Sequence, residues 1–193
     1  HKRGLLMEQC QKGSMCAVLN TDLDVISGVC ERVENETNNI VSPANLNSPK
    51  QTVISGTTEG VELAIKYLKD AGHKKCIKLN VHVASHSNVM IDAIDEFKKE
   101  LDMINMSMPN HKIIHNVDNE SSSDIDELKN KLLNQLTNPV QWSNTMEYIK
   151  KHNGIVIECG PNNVLSGLAR SNGIGEVYST FSKNFIDEIK SAI

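Results

Sequence analysis

Apolar residues recur along this chain with two different periods, and the switches between the periods mark its elements. Leu5 and Leu6, followed by polar Gln9 and Lys12, read as the second half of a helix with no N-cap before it, which points to further chain upstream. Residues 15–19 form an apolar run that suits a short strand. Thr21 then caps a helix whose apolar face is Val25, Ile26, Val29, Cys30 and Val33. An extended segment from Ile40 to Asn47, a turn at Ser48-Pro49-Lys50-Gln51 and a strand over residues 52–56 follow. Thr58 caps the next helix, with Val61, Ala64, Ile65 and Leu68 on one side and Gly72 closing it, before a strand at residues 76–80. The order over residues 13–81 is therefore β-α-β-β-α-β, the ferredoxin-like split βαβ pattern.

Beyond residue 81 the alternation continues. Val81 and Val83 end an extended segment, and from Val89 the apolar residues Met90, Ala93, Ile94, Phe97 and Leu101 fall at helical spacing. Residues 112–117 predict a strand, and Ser123 is placed to cap a helix carrying Leu128, Leu132, Leu133 and Leu136. Pro139 breaks the chain before a further helix through Met146 and Ile149. Residues 155–159 read as a buried strand, with Pro161 opening a helix that stops at Asn172-Gly173. A strand at 177–179 and a last helix follow. Strands alternating with helices imply an α/β protein with a parallel layer beside the smaller insert.

Composition narrows the function classes. A net charge of −4 without a long basic stretch argues against nucleic acid, and no apolar run approaches the ~20 residues of a membrane span, so neither is expected as a partner. Aromatic residues are only 4%, so the core must be aliphatic. The five cysteines show no C-x-x-C spacing and read as mostly buried, reduced thiols of an intracellular compartment, a bacterial cytoplasm or an organelle.

Chemistry concentrates at His86. It lies where a strand gives way to a helix, a junction at which a side chain is rigidly held yet can face a cleft, and a histidine there can move protons near neutral pH. A hydrogen-bonded loop histidine is the plainer and commoner account of such a position. The pairs His82/His86 and His111/His115 do not suggest a metal, because i and i+4 in extended chain lie ~13 Å apart. No G-x-S-x-G elbow supplies a nucleophilic serine, and Ser85 and Ser87 are too close in sequence to His86 to serve it. No Walker loop or G-x-G-x-x-G is present, so no nucleotide site or cofactor is expected. The Gly160-Pro161 helix start suits a tight turn better than an anion site.

Several stretches together resemble one family. These are Arg3-Gly4; Ser42-Pro43-Ala44-Asn45-Leu46-Asn47-Ser48-Pro49; Ser85-His86 with Met90; Asn138-Pro139-Val140-Gln141-Trp142; and Glu158-Cys159-Gly160-Pro161 with Val164-Leu165-Ser166-Gly167-Leu168. In this order they resemble the malonyl-CoA:acyl carrier protein transacylases of fatty acid synthesis. The resemblance implies an α/β-hydrolase-like large subdomain, residues 1–12 and 82–193, with a ferredoxin-like subdomain at 13–81 inserted. It also implies that the chain is the C-terminal two-thirds, lacking the serine-bearing segment and inactive by itself. Ala84 departs from the family's usual proline before Ser-His.

On this resemblance His86 would be the general base and acid, oriented by the backbone carbonyl of Gln141. Arg3 would bind the malonyl carboxylate, and Asn45 and Asn47 the acyl or pantetheine portion. Malonyl would pass from coenzyme A to a serine and then to the phosphopantetheine of an acyl carrier protein, with Lys74 and Lys75 as candidates for steering that acidic partner. Two other readings remain: a thioesterase-like hydrolase, which would not require Arg3, and a non-catalytic ferredoxin-like interaction module, which would not need His86, Gln141 and Arg3 together.

Overall fold

The computed structural model describes residues 1–152 and 154–192. They fall into two compact units, residues 1–142 and 143–193. The expected 13–81 insert lies wholly within the first.

In the first unit, α1 (Lys2–Gln9) precedes β1 (Ser14–Leu19), α2 (Leu23–Thr37), β2 (Val41–Ser48), β3 (Gln51–Gly56), α3 (Thr58–Asp70) and β4 (Cys76–Lys78). The strands form one antiparallel sheet in the order β2-β3-β1-β4. Strand β1 is internal to the sheet because it is apolar from Met15 to Leu19: Cys16 and Val18 are fully buried on one face, and Met15 and Ala17 pack on the other. The helices close over the first face, where Ile26, Cys30 and Val33 of α2 meet Val61, Ala64 and Leu68 of α3. Pro43 lies in β2, an edge strand, where a residue without an N–H can be accommodated; the β2–β3 register shifts between Pro43 and Asn45.

The caps differ from expectation by a residue. Asp22, not Thr21, precedes α2, and the buried Thr21 hydroxyl instead meets His73 Nδ1 at 3.2 Å. Thr57, not Thr58, caps α3 by accepting from Gly60 N–H at 3.1 Å. Periodicity locates a helix but leaves the choice between adjacent capping residues open.

A second core forms around the segment after β4. It joins Met7 and Cys10 to Ala84, Val89, Met90, Phe97, Leu101, Leu133 and Leu136. The elements are a 3₁₀ segment (Asn88–Ala93), α4 (Ile94–Asp102) and α5 (Ile125–Asn134). Asp124, rather than Ser123, caps α5, accepting from Glu127 N–H at 2.8 Å. The strand expected at 112–117 is a loop. Ile113 is 45% exposed, and the chain turns back on itself through His115 N–H to the Glu120 carbonyl. An apolar run with no neighbouring strand has no ladder to join.

Helix α6 (Trp142–Lys150) leads into the second unit, where β5 (Val156–Glu158) and β6 (Val177–Ser179) make a parallel pair. Among the described residues it is the only parallel pair of strands. Strand β5 is not the buried strand expected, since Ile157 is 41% exposed. Helix α7 (Val164–Ser171) begins after Pro161 rather than at it, and α8 (Phe185–Ala192) is last. The buried Glu158 carboxylate holds the start of α7: it accepts from Leu165 N–H at 3.0 Å, Ser166 N–H at 2.8 Å and Ser166 Oγ at 2.7 Å. No helix among the described residues is long and apolar enough to cross a membrane.

Three expectations follow, the first two from glycines. A Cβ at Gly56 would lie 2.0 Å from the Ile40 carbonyl oxygen, and backbone cannot step aside, so Gly56→Ala should cost about 1–3 kcal/mol. Gly28 in α2 meets nothing, so Gly28→Ala should stabilise by about 0.4–1 kcal/mol. Urea midpoints at unchanged slope measure both. Burial raises the Glu158 pKa, but its three hydrogen bonds outweigh that and hold the carboxyl below 4.5. Its stabilisation is therefore present above 4.5 and lost as pH falls through the lower folded value. Glu158→Gln should flatten that acid limb in unfolding followed by NMR signals of α7.

Candidate active site

His86 occupies a left-handed backbone conformation, φ 62°. A side chain there costs roughly 1–2 kcal/mol, so its surroundings must hold it. They do so through three hydrogen bonds. His86 N–H donates to the Leu136 carbonyl at 3.1 Å, Ser87 Oγ to the Ala84 carbonyl at 2.7 Å, and Met90 N–H to the Ser87 carbonyl at 3.0 Å. Ser87 and Ala84 are fully buried, so this turn is part of the second core.

The imidazole is half-buried, and its Nδ1 lies 2.8 Å from the carbonyl oxygen of Gln135. A carbonyl only accepts, so Nδ1 carries the proton and Nε2 keeps its lone pair, the tautomer a general base requires. The carbonyl that meets the imidazole is therefore that of Gln135, where the sequence resemblance pointed to Gln141. The reason is helical. Gln135 follows the last residue of α5, where carbonyls have no partner further along the helix. Gln141 lies beyond Pro139, with its N–H donating to the Asn116 carbonyl at 2.8 Å. A helix end just before Thr137-Asn138-Pro139 was visible in the sequence and could have pointed to Gln135. The Gln135 side chain fixes the same turn, its Nε2 donating to the Asn138 carbonyl at 2.9 Å.

Burial pushes the His86 pKa down, and the positive charge of Arg3 pushes it further; the Gln135 and Asn138 carbonyls pull partly back. The net effect is a histidine neutral at neutral pH. Arg3 itself is half-buried in α1, its pKa lowered by burial. Among the described residues it has no carboxylate within ion-pair distance and no hydrogen-bond partner. A half-buried guanidinium so placed is ready for an external anion. A groove of about 450 Å³ runs between α1 and the residues before His86, with Gly4, Glu8, Val83 and Ser85 in its lining; neither Arg3 nor His86 lines it.

Asn45 and Asn47 are half-buried on β2. Asn45 pairs with Val140 in a parallel bridge, through Val140 N–H to the Ala44 carbonyl at 2.8 Å and Leu46 N–H to the Val140 carbonyl at 2.9 Å. One short segment, residues 135–140, therefore touches both His86 and the edge of the sheet. No group of three or more metal-ligating side chains occurs among the described residues. His82 is exposed, and His115 Nε2 is taken up by Ser122 Oγ at 2.9 Å. Lys74 and Lys75 are exposed in the turn before β4.

Known proteins share this arrangement of sequence and fold. The chain is 38% identical over 173 residues to a malonyl CoA-acyl carrier protein transacylase of Salmonella typhimurium, covering 87% of this chain and 55% of that enzyme. It thus spans about half the length of that relative. The solved structure of a malonyl CoA-acyl carrier protein transacylase from Coxiella burnetii superposes with a TM-score of 0.90 at 33% identity, over 100% of this chain and 61% of that one. A malonyl-transacylase in complex with a type II polyketide acyl-carrier protein gives 0.90 at 32% identity, over 98% and 62%. A family model described as an acyl transferase domain matches residues 1–173, most of the 193, and on that match the chain belongs to the acyl transferase domain family.

Proposed function

We propose that this chain carries the proton-transfer and carboxylate-binding parts of a malonyl-CoA:acyl carrier protein transacylase. The observation that supports this most is the pairing of a neutral, carbonyl-held His86 with the unpartnered guanidinium of Arg3, whose charge acts on it. Nε2 of His86 takes the proton of an attacking serine supplied by sequence outside these 193 residues. It then returns that proton to the departing thiol of coenzyme A, leaving a malonyl-serine ester. In the second half, Nε2 deprotonates the phosphopantetheine thiol of an acyl carrier protein, which attacks the ester, and the imidazolium returns that proton to the departing serine oxygen. No cofactor enters either half.

The neutral Gln135 carbonyl fixes the tautomer and stabilises the transient imidazolium less than a carboxylate would. Arg3 binds the malonyl carboxylate through two parallel N–H donors, a geometry lysine lacks. Asn45 and Asn47 serve the acyl or pantetheine portion from the edge of the sheet. In this reading residues 13–81 are a ferredoxin-like subdomain inserted in an α/β-hydrolase-like one. The β2-β3-β1-β4 order and the parallel β5–β6 pair support it. Arg3 also favours transfer of a dicarboxylic acyl group over thioesterase-like hydrolysis, which has no use for a half-buried cation.

Binding tests the reading directly on this chain. Malonyl-CoA should bind more tightly than acetyl-CoA in calorimetry, and Arg3→Ala should erase the difference. The loss against malonyl-CoA should approach the roughly 3–5 kcal/mol of a broken buried pair, if the bound carboxylate is well desolvated. Equal affinities in the unaltered chain would count against a malonyl site. Separately, the 193-residue chain alone should show no transfer of radiolabelled malonyl to carrier protein, because it contains no G-x-S-x-G elbow; turnover would locate the nucleophile within it.

A further inference from the structure

Lys131 is a lysine in the last turn of α5 with only 7% of its side chain exposed. Its Nζ lies 3.0 Å from Asp118 Oδ2, 3.0 Å from Glu127 Oε1 and 3.1 Å from the Ser121 carbonyl oxygen. An ammonium has three N–H groups, and here each has an acceptor. The acceptors are themselves tied to the loop before α5. Asp118 Oδ1 takes Glu120 N–H at 3.0 Å, and Glu127 Oε2 takes Ser123 N–H at 2.7 Å and Ser123 Oγ at 2.8 Å. These bonds hold the Glu127 carboxyl down to about 2. The loop is thus strapped to the helix by charge-assisted bonds.

Two connections carry this strap to the site. At its near end the loop offers the Asn116 carbonyl to Gln141 N–H at 2.8 Å. Four residues after Lys131 on the helix comes Gln135, whose carbonyl meets His86 Nδ1, and then Leu136, whose carbonyl meets His86 N–H. Segment 135–141 is consequently held at one end by α5 and at the other by a loop that Lys131 binds back to α5. We infer that the Lys131–Asp118–Glu127 clamp positions His86, by closing the ring of bonded segments that aims the Gln135 carbonyl at Nδ1. Lys131 is a positioning residue, acting through Asp118, Asn116 and Gln141.

The inference rests on the proposed role of His86 for its purpose, but its test needs no activity. The His86 Cε1–H resonance, assigned as the one lost in His86→Ala, is titrated by NMR in the 193-residue chain. Arg3 is the charged group that acts on His86, and it is kept in every variant. Lys131→Met should loosen the Gln135 acceptor, which favours the imidazolium, and so lower the His86 midpoint by roughly half a pH unit. Asp118→Asn, a milder change at a half-exposed residue, should move it the same way, and the double variant should move it no further than Lys131→Met alone. Lys129→Met, on the same helix with only a 3.9 Å approach to Asp102, should leave it unchanged. An unaltered His86 midpoint in both Lys131→Met and Asp118→Asn would overturn the inference, whatever the loss of stability. So would a shift shared by all the histidines or reproduced by Lys129→Met. Failure of malonyl-CoA to bind would instead remove the proposed function and leave this titration result standing.

Discussion

The hydrogen bond from His86 Nδ1 to the Gln135 carbonyl, 2.8 Å long, is the constraint on which the site depends. It uses an acceptor that every helix has to spare, because carbonyls of the last turn lack a partner further along. Ending α5 beside His86 therefore supplies an orienting group without burying a second charge. The adjacent Leu136 carbonyl takes His86 N–H, so one helix end fixes both the ring and the unusual backbone conformation that presents it. The cost of the left-handed residue is offset locally, by bonds rooted in the fully buried Ser87 and Ala84.

Electrostatics and burial act together here. A carboxylate at Nδ1 would raise the imidazole pKa strongly; a carbonyl raises it less, and burial and Arg3 lower it. The outcome is a free base at neutral pH beside a cation that needs an anion. These two properties are complementary, since a bound carboxylate would offset the charge that Arg3 directs at His86 and so favour the imidazolium that proton transfer creates. In the proposed function, substrate binding and basicity would be coupled through this one pair of residues.

The sheet contributes rigidity from the other side. The outer edge of β2 is covered by Val140, and this bridge ties the segment carrying the Gln135 acceptor to the aliphatic core between the sheet and its helices. The edge proline and the register shifts of β2 leave an irregular strand, and irregular edges are where a sheet can present side chains such as Asn45 to a ligand.

Short-range order was legible in the sequence. The periods of apolar residues gave α2, α3, β1 and β3, because a helix or strand that buries one face must repeat at its own pitch. The helical stretch after His86 followed from the same switch in period, but the strand expected before it is only an isolated bridge at Val83, β4 having ended at Lys78; Arg3, Asn45 and Asn47 came from motif resemblance. Residues 112–117 have the composition of a strand but no neighbour to pair with, and pairing is decided by the whole fold. Which of Thr21 and Asp22, or Thr57 and Thr58, stands before its helix depended on where the helix packs. The choice of Gln135 over Gln141 required knowing which carbonyl is left without a partner and which lies within 2.8 Å of an imidazole 49 residues earlier. Hydrogen-bond partners distant in sequence are set by tertiary packing, and no local pattern encodes them.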